Sequence, residues 1–371
     1  MCADFSDVLL TSEVALVMET LVRDNVWFSE ICTLSTELDE KLGADAREAK
    51  KAVGQLVASV FDSTRRNPEE ACTKYYPELD TFKAELNPLQ LGTVNMDCNF
   101  AVRDCDVLAM CSAIAVSQTT KTLRMQLSLE QEDDDYNIIY RGHLWKYLAY
   151  GLFSSRSREL SALGSIELFG IDSMSLVDIE TFCAILTSKH SEEDMLGCTL
   201  GHGNERDATL MKNGPIRWQF DSSGQVATDS SPIILDSPVH FVRSFNDDGK
   251  SDWVDAILPG CGHCQVQRKN LKFDQDEGGR TKETVLTSLC LRFAKYRPSV
   301  STGLPLFLAA VGSSLTTLIL DGPRVDLDKN LLSRSCPNLV DLSLCGSLVQ
   351  MHLNFSEYHS RKQPLPDLDC D

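Results

Sequence analysis

The sequence predicts an α/β protein: stacked strand–turn–helix units forming a solenoid, with a parallel concave sheet, helices on the convex side and an α-helical region at the N-terminus. Three observations predict it. Leucines recur in strand-like L-x-x-L-x-L groups. Helical apolar patterns fill the intervals between them. Residues 5–62 carry helical spacing.

The leucine groups come first. Leucine makes up 49 of the 371 residues, and 19 of them lie in 286–371. Only Leu210 and Leu235 fall in 201–257, a shift that marks an insertion in a leucine-rich frame. Three segments fit L-x-x-L-x-L fully: Leu286-x-x-Leu289-x-Leu291, Leu315-x-x-Leu318-x-Leu320 and Leu339-x-x-Leu342-x-Leu344. Leu163-x-x-Ile166-x-Leu168 and Leu91-x-x-Val94-x-Met96 are looser copies. The alternating x-L-x-L core has the period of a strand with one buried face. Val107, Met110, Cys111 and Ile114, and again Ile179, Phe182, Cys183 and Leu186, recur at i, i+3, i+4, i+7, the period of a helix. Each unit therefore reads as strand, turn, helix.

This pattern resembles the leucine-rich repeat, in its long, helix-containing, ribonuclease-inhibitor-like class. Leu286 to Leu315 is 29 residues and Leu315 to Leu339 is 24, within the 20–29 of that family. Degenerate strands are expected at Thr120-x-x-Leu123-x-Met125, at Val239-x-x-Val242 and at Arg268-x-x-Leu271-x-Phe273. The family's usual Asn or Cys at the ninth motif position is present only as Asn99. The resemblance implies a repeat domain over 91–355 with an insertion loop over 189–236, holding one hairpin near Ile216–Phe220. It also implies that the residues flanking the buried leucines line the concave face. Those are Ser165, Glu167 and Phe169; Ser288, Cys290 and Arg292; Thr317, Ile319 and Asp321; and Asp341, Ser343 and Cys345. The expected function is non-enzymatic recognition of a protein partner by these rungs. The alternative is regulation of an enzyme, as a GTPase activator or a ubiquitin-ligase substrate receptor.

The remaining elements follow the same reading. Residues 1–65 form a helical cap or bundle, with helices suggested by Leu10–Leu21, by Leu34, Leu38 and Leu42, and by Ala49–Val60. Residues 66–90, with Pro68, Pro77 and Pro88, read as a linker, and 356–371 as a flexible acidic tail. Residues 130–135 (Glu-Gln-Glu-Asp-Asp-Asp) read as an acidic loop.

Charge and motifs bound the chemistry. The net charge of −19 opposes polyphosphate, so nucleic acid and anionic membranes are not expected partners. No apolar run reaches the length of a spanning helix, the N-terminus does not read as a signal peptide, and 14 scattered cysteines suit reduced thiols in the cytoplasm or nucleus. Nucleotide-binding, hydrolase and zinc-protease motifs are absent, so no catalytic residues and no cofactor are expected. Cys261-Gly-His-Cys264 is the exception to weigh, since a C-x-x-C pair can serve a thiol oxidoreductase. It follows an expected helix over Asp252–Leu258, where the helix dipole raises a thiolate's pKa. The pair therefore reads as turn thiols of ordinary pKa near ~8.5. With His263, and Cys290 or His240 to complete a set, they fall short of a zinc motif, and no metal is expected.

Overall fold

The computed structural model describes residues 2–4, 11–24, 30–35, 46–62, 92–98, 104–127, 130–132, 138–197, 205–218, 231–274, 284–294, 301–322, 329–345 and 350–354. In chain order its strands are β1 (Cys2–Asp4), β2 (Glu30–Ser35), β3 (Thr93–Cys98), β4 (Thr122–Leu127), β5 (Glu130–Glu132), β6 (Ile138–Tyr140), β7 (Ser165–Ile171), β8 (Arg206–Leu210) and β9 (Gly214–Trp218). They continue as β10 (Ile233–Leu235), β11 (Val239–Phe245), β12 (Trp253–Leu258), β13 (Gly262–Gln267), β14 (Leu271–Phe273), β15 (Ser288–Phe293), β16 (Thr317–Asp321), β17 (Asp341–Cys345) and β18 (Gln350–Asn354).

Nine strands form one sheet in the order β1-β2-β3-β4-β7-β15-β16-β17-β18. Neighbours run parallel throughout, except that β18 is antiparallel to β17. Order across the sheet follows order along the chain, so each strand adds to the same edge. A doubly wound sheet would instead reverse at a switch point.

Leucine spacing sets the register. Val94, Leu123, Ile166, Leu289, Leu318 and Leu342 form one transverse row, and Met96, Met125, Leu168, Leu291, Leu320 and Leu344 the next. All but the half-buried Leu344 are buried. The first leucine of each motif sits in the incoming turn. There the same backbone bond recurs from unit to unit: Ser165 N–H to Lys121 O, Ser288 N–H to Gly164 O, Thr317 N–H to Thr287 O, and Asp341 N–H to Thr316 O.

Helices cover the leucine side of this sheet. Leu176–Thr187 starts at Ser175, whose hydroxyl accepts the Asp178 N–H at 3.3 Å. It buries Ile179, Phe182 and Ile185. Leu304–Val311 begins with Pro305 in its first turn and buries Leu304, Phe307, Leu308 and Val311. Trp145, Phe153, Phe182 and Phe307 meet edge to face or tilted, with Phe182 and Phe307 centroids 5.1 Å apart. One apolar core runs from Ala15 to Leu342. A single strand–helix unit could not bury its apolar face alone; stacked units do.

The stretch between β7 and β15 builds a second sheet. It has seven strands in the order β10-β9-β13-β12-β11-β8-β14, all antiparallel. Its own core includes Leu210, Ile216, Val242, Val254, Leu258, Cys264 and Val266.

Several expectations are corrected. Residues 1–65 are not purely helical: helices Ser12–Asp24 and Ala46–Phe61 alternate with β1 and β2, which extend the parallel sheet. Of the middle helix suggested by Leu34, Leu38 and Leu42, Leu34 lies in β2, where Ile31 and Thr33 are β-branched and favour a strand; Leu38 and Leu42 lie outside the described residues. The insertion is larger and more ordered than a loop over 189–236. It holds a short helix (Ser191–Leu196) and sheet strands from Arg206 to Phe273. Val239–Val242 and Leu271–Phe273 belong to that antiparallel sheet and not to the parallel one. Asp252–Leu258 is strand β12, not a helix: Val254, Ala256 and Leu258 are buried, and Pro259-Gly260 turns the chain back into β13. Glu130–Glu132, expected as loop, pairs with β6. The linker and the acidic tail lie outside the described residues.

Candidate functional site

The side of the parallel sheet opposite the leucines carries the residues that the sequence singled out. Pairing places them in three transverse rows. Thr122, Ser165, Ser288, Thr317 and Asp341 form the first. Arg124, Glu167, Cys290, Ile319 and Ser343 form the second. Gln126 and Phe169 pair in the third, as do Arg292, Asp321 and Cys345. The strand register slips between Leu291 and Phe293, but Arg292 bridges the slip by lying over the Phe169 ring at 4.9 Å. Arg124 Nε lies 3.2 Å from Glu167 Oε1.

Most of these side chains are half-buried and Arg292 is exposed, as a face open to contact requires. Cys290 departs from the expectation. It is buried, with Arg292 hydrogen-bonded to its thiol, and burial pushes that thiol's pKa up against the guanidinium's pull. The sequence reading also missed Arg124 and Gln126, because Thr120–Met125 lacks the full leucine motif.

A second constellation was not foreseen. It lies where the short helix Ser191–Leu196 and strands β8 and β11 meet the π-helical turn Ala149–Phe153 and the helix Ser155–Leu160. Arg156 is buried, donating to Asp207 at 2.5 Å and to the Phe241 carbonyl at 2.8 Å. Phe241 has φ of 58°, beside an irregularity in the β8–β11 pairing. Arg243 donates to Glu205 at 3.0 Å and lies 3.7 Å from Glu192. His190 Nδ1 is 3.5 Å from Glu205 Oε2.

These contacts shift the ionisations. Burial, Glu192's charge and a hydrogen bond with Glu192 hold the Tyr150 phenol far above its ordinary pKa. Burial works against the Arg156 charge, but Tyr150, Asp207 and Glu192 together hold its pKa up. Burial, then Glu192, raises the Glu205 carboxyl above its usual range, although Arg243 pulls the other way. Asp207 is lowered: Arg156 and Arg243 outweigh its burial. The signal in the sequence was the charge run His190–Asp194 followed by Glu205 and Asp207 in a leucine-poor stretch.

Cys261 lies in the β12–β13 turn and Cys264 within β13, paired with Ala256 and Trp218, and both residues are buried. Trp218 Nε1 donates to the Cys261 carbonyl at 3.0 Å, and burial holds the Cys264 thiol well above its ordinary pKa. Cys264 is thus far from the ordinary thiol the sequence suggested. Cys290 and His240 do not complete a metal-binding group with Cys261, His263 and Cys264 among the described residues.

Among the described residues no helix is long and apolar enough to cross a membrane. The chain matches no protein family, no curated protein and no solved structure.

Proposed function

We propose that this chain is a solenoid of the leucine-rich-repeat kind, similar to the ribonuclease-inhibitor-like class, that works as a non-enzymatic protein-recognition module through the open face of its parallel sheet. The observation that carries the reading is the monotonic strand order, with polar and mixed side chains aligned in rows opposite a continuous leucine core. Rows of side chains on a rigid sheet can match an extended protein surface without moving backbone. Phe169 and Arg292, stacked at the middle of the face, are the residue types that concentrate binding energy when a partner buries them.

The test is a cross-linking capture with a photoreactive group placed at Thr317. Partner yield should fall about tenfold in Phe169→Ala with Arg292→Glu, since each such anchor contributes on the order of 1–2 kcal/mol or more. The control is Glu180→Arg, an exposed position on the helix Leu176–Thr187, which should leave the yield unchanged. Equal loss in both variants, or loss in neither, would remove the open face from the reading.

A further inference from the structure

We propose that His190, Glu193 and Glu205 form a binding site for a divalent cation of the manganese-to-zinc range. Each offers one nitrogen or oxygen ligand atom, and these atoms all lie within 4.8 Å of one another. His190 precedes the helix Ser191–Leu196, Glu193 lies in its first turn, and Glu205 comes from the segment entering β8. An imidazole with two carboxylates suits a borderline divalent cation. Ligands bound at about 2.1 Å in a tetrahedron stand about 3.4 Å apart, so the three would draw together by roughly an ångström.

One further observation points to a cation here: Glu205 itself. Its side chain is 3% exposed, and Arg243 and His190 contact only Oε2, at 3.0 and 3.5 Å. Its Oε1 is buried and accepts no hydrogen bond. A buried carboxylate oxygen left this way is costly, and a metal ion removes that cost. Arg243 holds Glu205 through Oε2, as outer partners of metal ligands do. His190 is 33% exposed and gives the ion a route in from solvent.

The full chain, stripped with chelator, is titrated with Mn2+, because its 14 cysteines would capture zinc elsewhere. Loss of the free-ion paramagnetic signal counts bound manganese. The expected result is saturation at one ion per chain with a matching rise in melting temperature. Glu193→Gln should weaken binding roughly tenfold or more, by analogy with the loss on disturbing even outer partners of a ligand. His190→Gln is the second variant, at a partly exposed position that folding tolerates, and should do the same. No saturable binding by the wild type would overturn the site. So would undiminished binding in a folded His190→Gln protein. Neither result depends on a protein partner, so failure here leaves the open-face reading to its own test.

Discussion

Leu318 and Leu342 stand directly opposite each other on adjacent parallel strands, and both are buried. They belong to the row that joins every unit from β3 to β17. Leu318→Ala removes methyl groups from a continuous core with neighbours on both sides and should cost roughly 2–5 kcal/mol. Thr317→Ala, one residue away on the open face, should cost about 0.5 kcal/mol or less. Chemical denaturation of the two variants measures the contrast; similar midpoints would contradict the assignment of faces.

Gly54 and Gly260 bring the helix Ala46–Phe61 against the β12–β13 turn, backbone to backbone. A Cβ at Gly54 would lie 2.6 Å from the Gly260 carbonyl oxygen. Gly54→Ala gains about 1 kcal/mol of helix propensity. That gain is outweighed by overpacking of about 1–3 kcal/mol against a backbone atom that cannot rotate away. Gly260→Ala should be worse, because φ of 79° there adds about 1–2 kcal/mol for a left-handed residue. Urea midpoints should fall in both, and further in the second.

Asp247 is buried in the β11–β12 turn, where Arg206 donates at 2.6 Å, Gly249 N–H at 3.0 Å and Arg268 completes the set. Burial works against its charge, but the Gly249 N–H and the two guanidiniums hold the pKa below its ordinary value. A carboxyl lowered on folding contributes stability that is present above the unfolded pKa, about 3.9, and lost as pH falls through the folded one. Asp247→Asn should therefore cost about 1.5–3 kcal/mol at neutral pH. The gap between variant and wild type should close as pH drops below about 3.9. A gap constant from neutral pH to that region would contradict the ion-pair account.

Cys264 is fully buried, and its thiol is held well above the ordinary range, first by burial and then by Cys261. The thiolate is the reactive form. In the native protein at about pH 8.5, Cys264 should resist alkylation and then react on unfolding at the pace of a free cysteine. Mass spectrometry of the modified peptide gives the answer. Fast native labelling would return the C-x-x-C pair to consideration as a redox centre.

The parallel strands were legible because leucine reports both period and face. Leu289 and Leu291, Leu318 and Leu320, and Leu342 recur at positions where only a one-sided strand explains the alternation. The antiparallel insert was not legible, because its strands bury small or scattered groups such as Ala208, Ala256 and Cys264. Trp253–Leu258 admits helical and strand readings alike until Gly260 and Gly262, with φ of 79° and 72°, fix the turn. The open-face residues followed from register, whereas the burial of Cys290 depends on how Arg292 folds over the sheet. The ionic cluster needs His190, Arg156 and Arg243 from distant positions, and no local spacing announces their meeting.

The placement of β7 beside β15 bears on how the chain assembles. Thr287 Oγ1 donates to the Gly164 carbonyl across 123 residues, while the next unit makes the same bond, Thr316 Oγ1 to Thr287 O, across 29. Closing the longer loop costs only about 1.3 kcal/mol more in chain entropy. The excursion also returns close to where it leaves: β8 pairs with β14, and Asp274 N–H donates to the Asp207 carbonyl at 3.0 Å. The antiparallel sheet thus leaves and rejoins the stacked units at neighbouring strands, and its turn at Gly260, with Phe245 and Ile257, also packs back against them, so its return is held by contact as well as by chain connection.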